Sequence, residues 1–168
     1  KKWVAKDVGS PAEIKELSEA LGVSKRLSSL LLNRGIRTFD EAESFFRPKL
    51  AMLHDPFLMA DMDAAIERIE KALESKEKLM VYGDYDVDGT TAVSLVYSFF
   101  SQFTDQIEYY IPHRYTEGYG VSKLGIDTAI DNGVTLIICL DCGIKANDLI
   151  EYARDNGVDF IVCDHHLP

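Results

Sequence analysis

The sequence is poor in cysteine, proline and tryptophan and has no long apolar run. Its 168 residues include 3 Cys, 5 Pro and 1 Trp. A small, odd number of cysteines does not support a disulfide framework, so we expect reduced thiols and a cytoplasmic protein. No apolar run approaches the roughly 18 residues that span a membrane, and the Lys1-Lys2-Trp3 start lacks the apolar core of a signal peptide. We therefore expect no membrane association.

Positive charge is also scarce beyond residue 50. Residues 1–50 carry 10 Lys and Arg against 7 Asp and Glu, whereas residues 51–168 carry 8 against 21. An acidic body argues against nucleic acid as a partner, because phosphate binding normally draws on Lys and Arg. Bound divalent cations would supply positive charge where a phosphate binds and leave the outer surface acidic. The charge balance therefore weakens a nucleic-acid interpretation without excluding it.

Short helices are predicted in the first 50 residues. Residue types that cap helices stand at Ser10, Ser24 and Thr38, and two of these positions have the pattern of a capping box. A further amphipathic helix is predicted just after residue 60. We therefore divide the chain into a helical segment with a linker, residues 1–60, and a second domain, residues 61–168.

From residue 78 onward, short β-rich runs alternate with helical ones. This alternation predicts an α/β fold, a doubly wound parallel sheet of βαβ units with right-handed crossovers, preceded by the small helical segment. The predicted strands are Leu79–Tyr82, Ile107–Ile111, Thr135–Leu140 and Phe160–Cys163, and the helices between them cover residues 90–102, 122–131 and 145–156.

Polar side chains follow all four predicted strands. The carboxyl ends of parallel strands lie at one edge of a sheet, and ligands bind in the crevice beyond them. We therefore expect these side chains to converge on one site. They are Asp84, Asp86 and Asp88 after the first strand, Arg114 after the second, Asp141 after the third, and Asp164, His165 and His166 after the fourth.

The three aspartates of the first loop are typical of a metal site. Ionised carboxylates crowded into one turn repel each other, and a hard divalent cation such as Mg²⁺ or Mn²⁺ offsets that repulsion. The pattern also matches the first half of an EF-hand loop. However, its twelfth position is Leu95 instead of Glu, and the preceding run is strand-like. A solvated acidic turn is the other alternative.

Asp141 and the two histidines have less specific patterns. Asp141 leaves a buried strand, where it would either bind a cation or cap the next helix, and beside the first loop we favour a metal ligand. Adjacent histidines in an extended chain point in opposite directions, so at most one of His165 and His166 is expected to bind metal directly. The three cysteines with His165 suggest a zinc site, but this would leave the aspartates of the first loop unexplained.

Arg114 stands where a guanidinium would grip a phosphate, although a surface salt bridge explains it nearly as well. Downstream, the stretch from Glu117 to Gly120 is interpreted as a flexible loop that closes over substrate or simply turns.

Together these motifs resemble the DHH phosphoesterase superfamily. The loop of three aspartates, Asp141-Cys142-Gly143 and Asp164-His165-His166 occur in the order typical of that family. The surrounding sequence is most similar to the RecJ exonuclease family of bacteria, and the similarity spans essentially the whole chain. The resemblance implies hydrolysis of single-stranded DNA from its 5′ end into 5′ mononucleotides, in recombination and repair, with Mn²⁺ or Mg²⁺. We further expect a monomer.

Carried over residue by residue, the resemblance implies a two-metal site in which His166 faces the phosphate and Arg114 contacts the substrate. Some members of the superfamily have His at the position of Tyr82, so here the first metal depends more on Asp84 or is bound more weakly. The implied catalytic residues are Asp141, His165 and His166, and the implied metal ligands are Asp84, Asp86, Asp88, Asp141 and His165.

The sequence departs from the family in stopping at Pro168, directly after the third motif, and in lacking an initiator Met. We expect a fragment without the further metal-ligand Asp and the second domain of the family, and with little or no nuclease activity by itself. Two other functions stay open. A phosphodiesterase of the same superfamily would act on cyclic dinucleotides or short oligoribonucleotides, and a binding module would keep the fold without the chemistry.

Overall fold

The computed structural model describes Lys2, Val4 and residues 9–168. It divides into two compact units, one ending at Leu58 and one running from Met59 to Pro168. No helix in the described part of the chain is long and apolar enough to cross a membrane. The first unit contains α1 (Pro11–Leu21), α2 (Lys25–Leu32), α3 (Phe39–Phe46) and short 3₁₀ turns at Leu50–Met52 and Pro56–Leu58. The second contains α4 (Met62–Glu74), β1 (Leu79–Gly83), α5 (Val87–Phe100), β2 (Ile107–Tyr110), α6 (Lys123–Asp131), β3 (Leu136–Leu140), α7 (Asn147–Asp155) and β4 (Asp159–Cys163).

The helical unit has the predicted caps. The hydroxyl of Ser10 accepts a hydrogen bond from the N–H of Glu13 at 3.2 Å, and the Glu13 carboxylate accepts from the N–H of Ser10 at 2.7 Å. Thr38 and Glu41 form a second capping box at the start of α3. Both boxes satisfy N–H groups that a helix start leaves without an intrahelical partner. The core of this unit is small and consists of Leu17, Leu31, Leu32, Ile36 and Ala42.

The four strands form one parallel sheet in the order β2-β1-β3-β4. β1 lies between its two neighbours, with Leu79 opposite Ile107 of β2 on one side and opposite Leu136 of β3 on the other. β1 and β3 are buried along their whole length, which explains why their sequences are apolar without alternation.

Alternate residues of the central strands pack against different helices. Met80 belongs to a cluster that includes residues of α6 and α7. Val81 belongs to a second cluster with Val93 of α5 and Ala72 of α4. Helices therefore cover both faces of the sheet, and the predicted doubly wound α/β fold with an N-terminal helical segment is confirmed.

The largest difference from the predicted elements is the start of α5, which begins at Val87 and not at residue 90. The sequence signal at Gly89 is that of a turn, but Gly89 lies inside the first helical turn. A Cβ atom there would be 2.4 Å from the backbone oxygen of Asp84, so glycine permits the close approach of the helix to the loop before it. The Asp86 side chain caps the helix by accepting a hydrogen bond from the Gly89 N–H at 3.0 Å.

The strand order changes direction between β1 and β3, because the chain passes from β1 outward to β2 and then returns to β3 on the other side. Ligands bind at such a point in open α/β sheets. In the register of the sheet, Gly83 pairs with Leu140 and Leu140 pairs with Cys163. The residues that follow these three, at the same level of the sheet, are Asp84, Asp141 and Asp164.

Candidate metal centre

Asp84 lies directly after β1 and is fully buried. Its Oδ1 accepts a hydrogen bond from the N–H of Tyr85 at 2.8 Å. Its Oδ2 is buried and has no hydrogen-bond partner among the residues that the structure describes. A buried carboxylate oxygen without a partner is costly, and a bound cation would remove that cost. Asp84 therefore fits the predicted role of metal ligand.

Asp86 and Asp88 lie at the start of α5, and both are exposed. The helix N-terminus carries partial positive charge, which reduces the repulsion between the two carboxylates. Only Oδ1 of the Asp86 carboxylate accepts the capping hydrogen bond from the Gly89 N–H. Strand β1, and not a helix, precedes this loop, so the EF-hand alternative is wrong.

Asp141 follows β3 with a left-handed backbone, φ 59°. Its N–H donates to the carbonyl oxygen of Cys163 at 2.8 Å, which fixes the loop to the end of β4. Oδ1 lies 3.0 Å from Nε2 of His165, and the Asp141 side chain is only 11 % exposed. Asp141 does not cap α7, because the residue at the N-cap of that helix is Ala146. The N-cap alternative for Asp141 is therefore wrong.

Asp164 positions His166 directly. Its side chain is 2 % exposed, and its Oδ1 lies 2.7 Å from Nδ1 of His166. Oδ2 accepts a hydrogen bond from the N–H of Ile144 at 3.0 Å. Burial opposes ionisation of Asp164, but hydrogen bonds from the N–H groups of Ile144 and His166 and from the His166 ring, together with the charge of His166, outweigh it and lower the pKa of the carboxyl group. The hydrogen bond to Asp164, followed by its charge and those of Asp141 and Asp86, raises the pKa of His166.

Both imidazoles lie beside Asp141, contrary to the expectation that His165 and His166 point in opposite directions. One ligand atom each from Asp141, His165 and His166 lie within 4.8 Å of one another. The ring centroids of the two histidines are 4.6 Å apart. The side chains do not alternate in direction here, because the chain leaves the strand at Cys163 and bends. In this bend the N–H of His166 donates to Oδ1 of Asp164 at 3.1 Å.

The first-loop aspartates and Asp141 act electrostatically on the same groups. Burial, followed by the charges of Asp84, Asp86 and Asp141, raises the pKa of Tyr119 to about 12. The charges of Asp86 and Asp141 also contribute to the raised pKa of His166. No first-loop aspartate, within the described ranges, joins the 4.8 Å set around Asp141. The register of the sheet nevertheless sets Asp84 and Asp141 at the ends of adjacent strands.

Arg114 follows β2 and lies against an aromatic ring that sequence reasoning did not identify. Its guanidinium carbon is 5.2 Å from the centroid of the Tyr85 ring, a cation–π distance. The structure shows no ion pair between Arg114 and any other described residue. The salt-bridge alternative is thus not supported, and the guanidinium lies beside Tyr85 of the first loop.

Tyr119 is the second residue that sequence reasoning missed. Its ring makes edge-to-face contacts with Tyr85, at 5.9 Å between centroids, and with His166, at 6.2 Å. It lies in the stretch from Glu117 to Gly120, interpreted above as flexible, but the Glu117 carboxylate is anchored. That carboxylate accepts hydrogen bonds from the Tyr110 hydroxyl at 2.8 Å, the Ser122 hydroxyl at 2.6 Å and the His113 N–H at 2.7 Å.

Tyr82, the position where some members of the superfamily have His, belongs to the core. Its hydroxyl donates to the carbonyl oxygen of Gly120 at 3.0 Å and accepts from the N–H of Ser122 at 3.0 Å. Burial raises the pKa of Tyr82. The side chain therefore holds the loop that carries Tyr119 and does not replace a metal ligand.

The cysteines do not form the alternative zinc site. The Sγ atoms of Cys139 and Cys142 are 3.4 Å apart and buried, whereas Cys163 is exposed. Among the described residues, no group of three or more metal-ligating atoms includes a cysteine. The donors that do come together are carboxylate and imidazole groups instead of thiolates, and carboxylates are the donors that suit Mn²⁺ and Mg²⁺.

The family model for the DHH family, N-terminal domain, matches residues 78–168. The chain belongs to the DHH family. Its matched region begins just before β1 and includes every candidate ligand.

Several RecJ proteins are similar to this DHH-family chain. The single-stranded-DNA-specific exonuclease RecJ of Bacillus subtilis is 38% identical over 156 residues, covering 93% of this chain and 20% of the relative. RecJ of Escherichia coli is 34% identical over 143 residues, covering 84% of this chain and 24% of the relative. The chain thus spans between a fifth and a quarter of these relatives.

Solved RecJ structures are also similar to the chain. A crystal structure of exonuclease RecJ bound to manganese matches 71% of this chain and 30% of the solved one, with a TM-score of 0.62 and 32% identity. RecJ of Thermus thermophilus in complex with Mn²⁺ matches 96% of this chain and 22% of the solved one, with a TM-score of 0.66 and 25% identity.

Proposed function

We propose that this chain forms part of a metal-dependent phosphodiesterase, and that the full-length protein degrades single-stranded DNA from its 5′ end into 5′ mononucleotides. The observation that carries the proposal is the common level of Asp84, Asp141 and Asp164 at the ends of three adjacent strands. That level brings carboxylates and imidazoles from separate loops to one edge of the sheet. Similarity to exonucleases specific for single-stranded DNA supports the choice of substrate.

The donor set fits two hard divalent cations, Mn²⁺ or Mg²⁺. The unpartnered buried Oδ2 of Asp84 and the close pair of Asp141 and His165 support this assignment. Bound there, the ions would lower the pKa of a water molecule and stabilise negative charge on the phosphoryl and leaving oxygens. The proposed metal ligands are Asp84, Asp86, Asp88, Asp141 and His165.

His166 and Arg114 are proposed to hold the phosphate. The hydrogen bond to Asp164 favours the protonated imidazole of His166 and fixes its ring, so that a positive group is presented to an anion. Arg114 supplies a planar guanidinium that grips two phosphate oxygens. His166 is therefore both a catalytic and a substrate-binding residue, with Asp164 as its positioning residue.

The proposal is tested with the full-length protein that contains this chain. A 5′-labelled single strand with Mn²⁺ should release labelled mononucleotides. Asp141→Asn or His165→Ala should abolish the release, because each removes a metal ligand. Asp131→Asn, a neutralised exposed carboxylate at the end of α6, should leave the release unchanged. Full activity of both ligand variants would overturn the proposal.

The same assay separates the alternative function. An enzyme for cyclic dinucleotides or short oligoribonucleotides would hydrolyse those substrates in preference to long single-stranded DNA. A binding module would bind DNA without releasing any nucleotide.

We propose DNA repair and recombination in the cytoplasm as the setting, with the protein acting as a monomer. Gel filtration of the full-length protein tests the oligomeric state.

A further inference from the structure

A cavity of about 420 Å³ opens beside the candidate metal centre, on the side of His166. It lies between the loop that precedes α6, the segment after Asp141 and the first turn of α7. Its size lies within the range of small-molecule sites, about 300–1,000 Å³. The residues that line it include Tyr119, Val121, Ile144, Leu149, Asp164 and His166.

The lining combines apolar side chains with charged ones. Val121, Ile144 and Leu149 contribute aliphatic carbon, and Tyr119 contributes an aromatic ring. His166, whose ring is hydrogen-bonded to Asp164, and the cationic Lys145 also line the cavity. A ligand that fits has a flat apolar part and, attached to it, an anionic group. A nucleotide has both.

Tyr119 is held in place although it is 53 % exposed. Its edge-to-face contacts with Tyr85 and His166 fix the ring between the first loop and the DHH motif.

We propose that this cavity binds the nucleobase of the nucleotide whose phosphate contacts His166, with the ring of Tyr119 stacking on the base. The inference rests on the proposed function and adds to it a site for the base. Stacking on an aromatic ring is tolerant of sequence, because every base has a π-face. A strand in which that base is paired would have to release it before the base enters the cavity, so the site favours single strands.

The test uses the full-length protein and 5′-phosphorylated single strands with 2-aminopurine at the first, second or third position. Ca²⁺ replaces Mn²⁺ so that binding is measured without turnover. We expect quenching of the fluorescence at one position, and a loss of affinity of about tenfold in Tyr119→Ala, the order of effect of losing one stacking contact. Tyr119→Phe, which keeps the aromatic ring, should retain both the quenching and the affinity of the wild-type protein. Tyr115→Ala is the matched control, because Tyr115 lies in the same loop, is 88 % exposed and does not line the cavity.

Matched strands with an abasic nucleotide at the quenched position separate stacking from a general loss of structure. Wild-type protein and Tyr119→Ala should bind the abasic strand equally well. Equal affinity of the two proteins for the base-bearing strand, or an equal loss by Tyr119→Ala for both strands, would overturn the inference. If hydrolysis still requires Asp141 in that case, the proposed function stands and only the base site fails. If hydrolysis requires neither Tyr119 nor Asp141, the base site and the proposed function both fail.

Discussion

Replacing Gly89 by Ala should destabilise the protein, although the same change stabilises most exposed helices. Gly89 lies in the first turn of α5, where alanine would ordinarily be favoured by up to about 1 kcal/mol. Here the added Cβ would lie 2.4, 2.7 and 2.8 Å from the backbone O, N and C atoms of Asp84. These are backbone atoms of a buried loop, so no flexible side chain can move aside.

The size of the effect follows from the two opposing contributions. Inserting a methyl group into packed structure typically costs about 1–3 kcal/mol. Because all three contacts are with backbone atoms, we expect the upper part of this range, about 2–3 kcal/mol. Subtracting about 1 kcal/mol for the helical preference of alanine leaves a net loss of about 1–2 kcal/mol, which for a chain of this size lowers Tm by roughly 2–8 °C. The backbone movement that accommodates the new methyl group also displaces Asp84 and the cap at Asp86, so Mn²⁺ binding should weaken.

Thermal unfolding followed by far-UV circular dichroism measures the stability, and calorimetric titration with Mn²⁺ measures the binding. Ser98→Ala, an exposed position in the same helix, is the control and should leave Tm unchanged or raise it slightly. If Gly89→Ala melts at or above the wild-type temperature and binds Mn²⁺ normally, close packing between α5 and the Asp84 loop is not what requires glycine.

Two further predictions concern the groups around the site. Tyr82→Phe leaves the buried polar groups of Gly120 and Ser122 without their phenol partner, so the free energy of unfolding measured in urea should fall by about 1–3 kcal/mol. The control Tyr109→Phe, at a side chain that is 59 % exposed, should change the free energy of unfolding little. Equal effects of the two substitutions would contradict the role of the Tyr82 hydroxyl. The His166–Asp164 pair should stabilise the fold fully between pH 3.8 and 6.5, the ordinary pKa values of its two groups. Because the pKa of His166 is raised and that of Asp164 is lowered, this stabilisation is lost as pH rises through the pKa of His166 or falls through that of Asp164. The difference in urea stability between wild type and Asp164→Asn should therefore be larger at pH 5.5 than at pH 9, and a constant difference would refute it.

Most of the fold could be predicted from the sequence because its local signals agree with its packing. The central strands are continuous apolar runs, as burial on both faces requires, and the helical runs between them impose parallel pairing. The start of α5 was the exception. Gly89 in isolation indicates a turn, and only the proximity of Asp84 reveals that it is a packing requirement within a helix.

The positions of the candidate ligands could be predicted only as far as the sheet determines them. Asp84 and Asp141 come immediately after paired strand residues, so parallel pairing places them at one level. The direction of His166 depends instead on a bend made by Asp164. The place of Tyr119 depends on the hydrogen bond from Tyr82 to Gly120, which lies 38 residues further along the chain, and no local pattern encodes such a contact.

The register of the sheet fixes the lengths of its strands. A strand residue adds about 3.3 Å, and successive side chains point to opposite faces. Deleting one residue from β3 would therefore draw Asp141 back by that distance or turn alternate core side chains outward. Insertions after the aspartates leave this register unchanged, since the loops begin there. Changes in loop length can thus alter what reaches the centre, while the strands keep its carboxylates aligned.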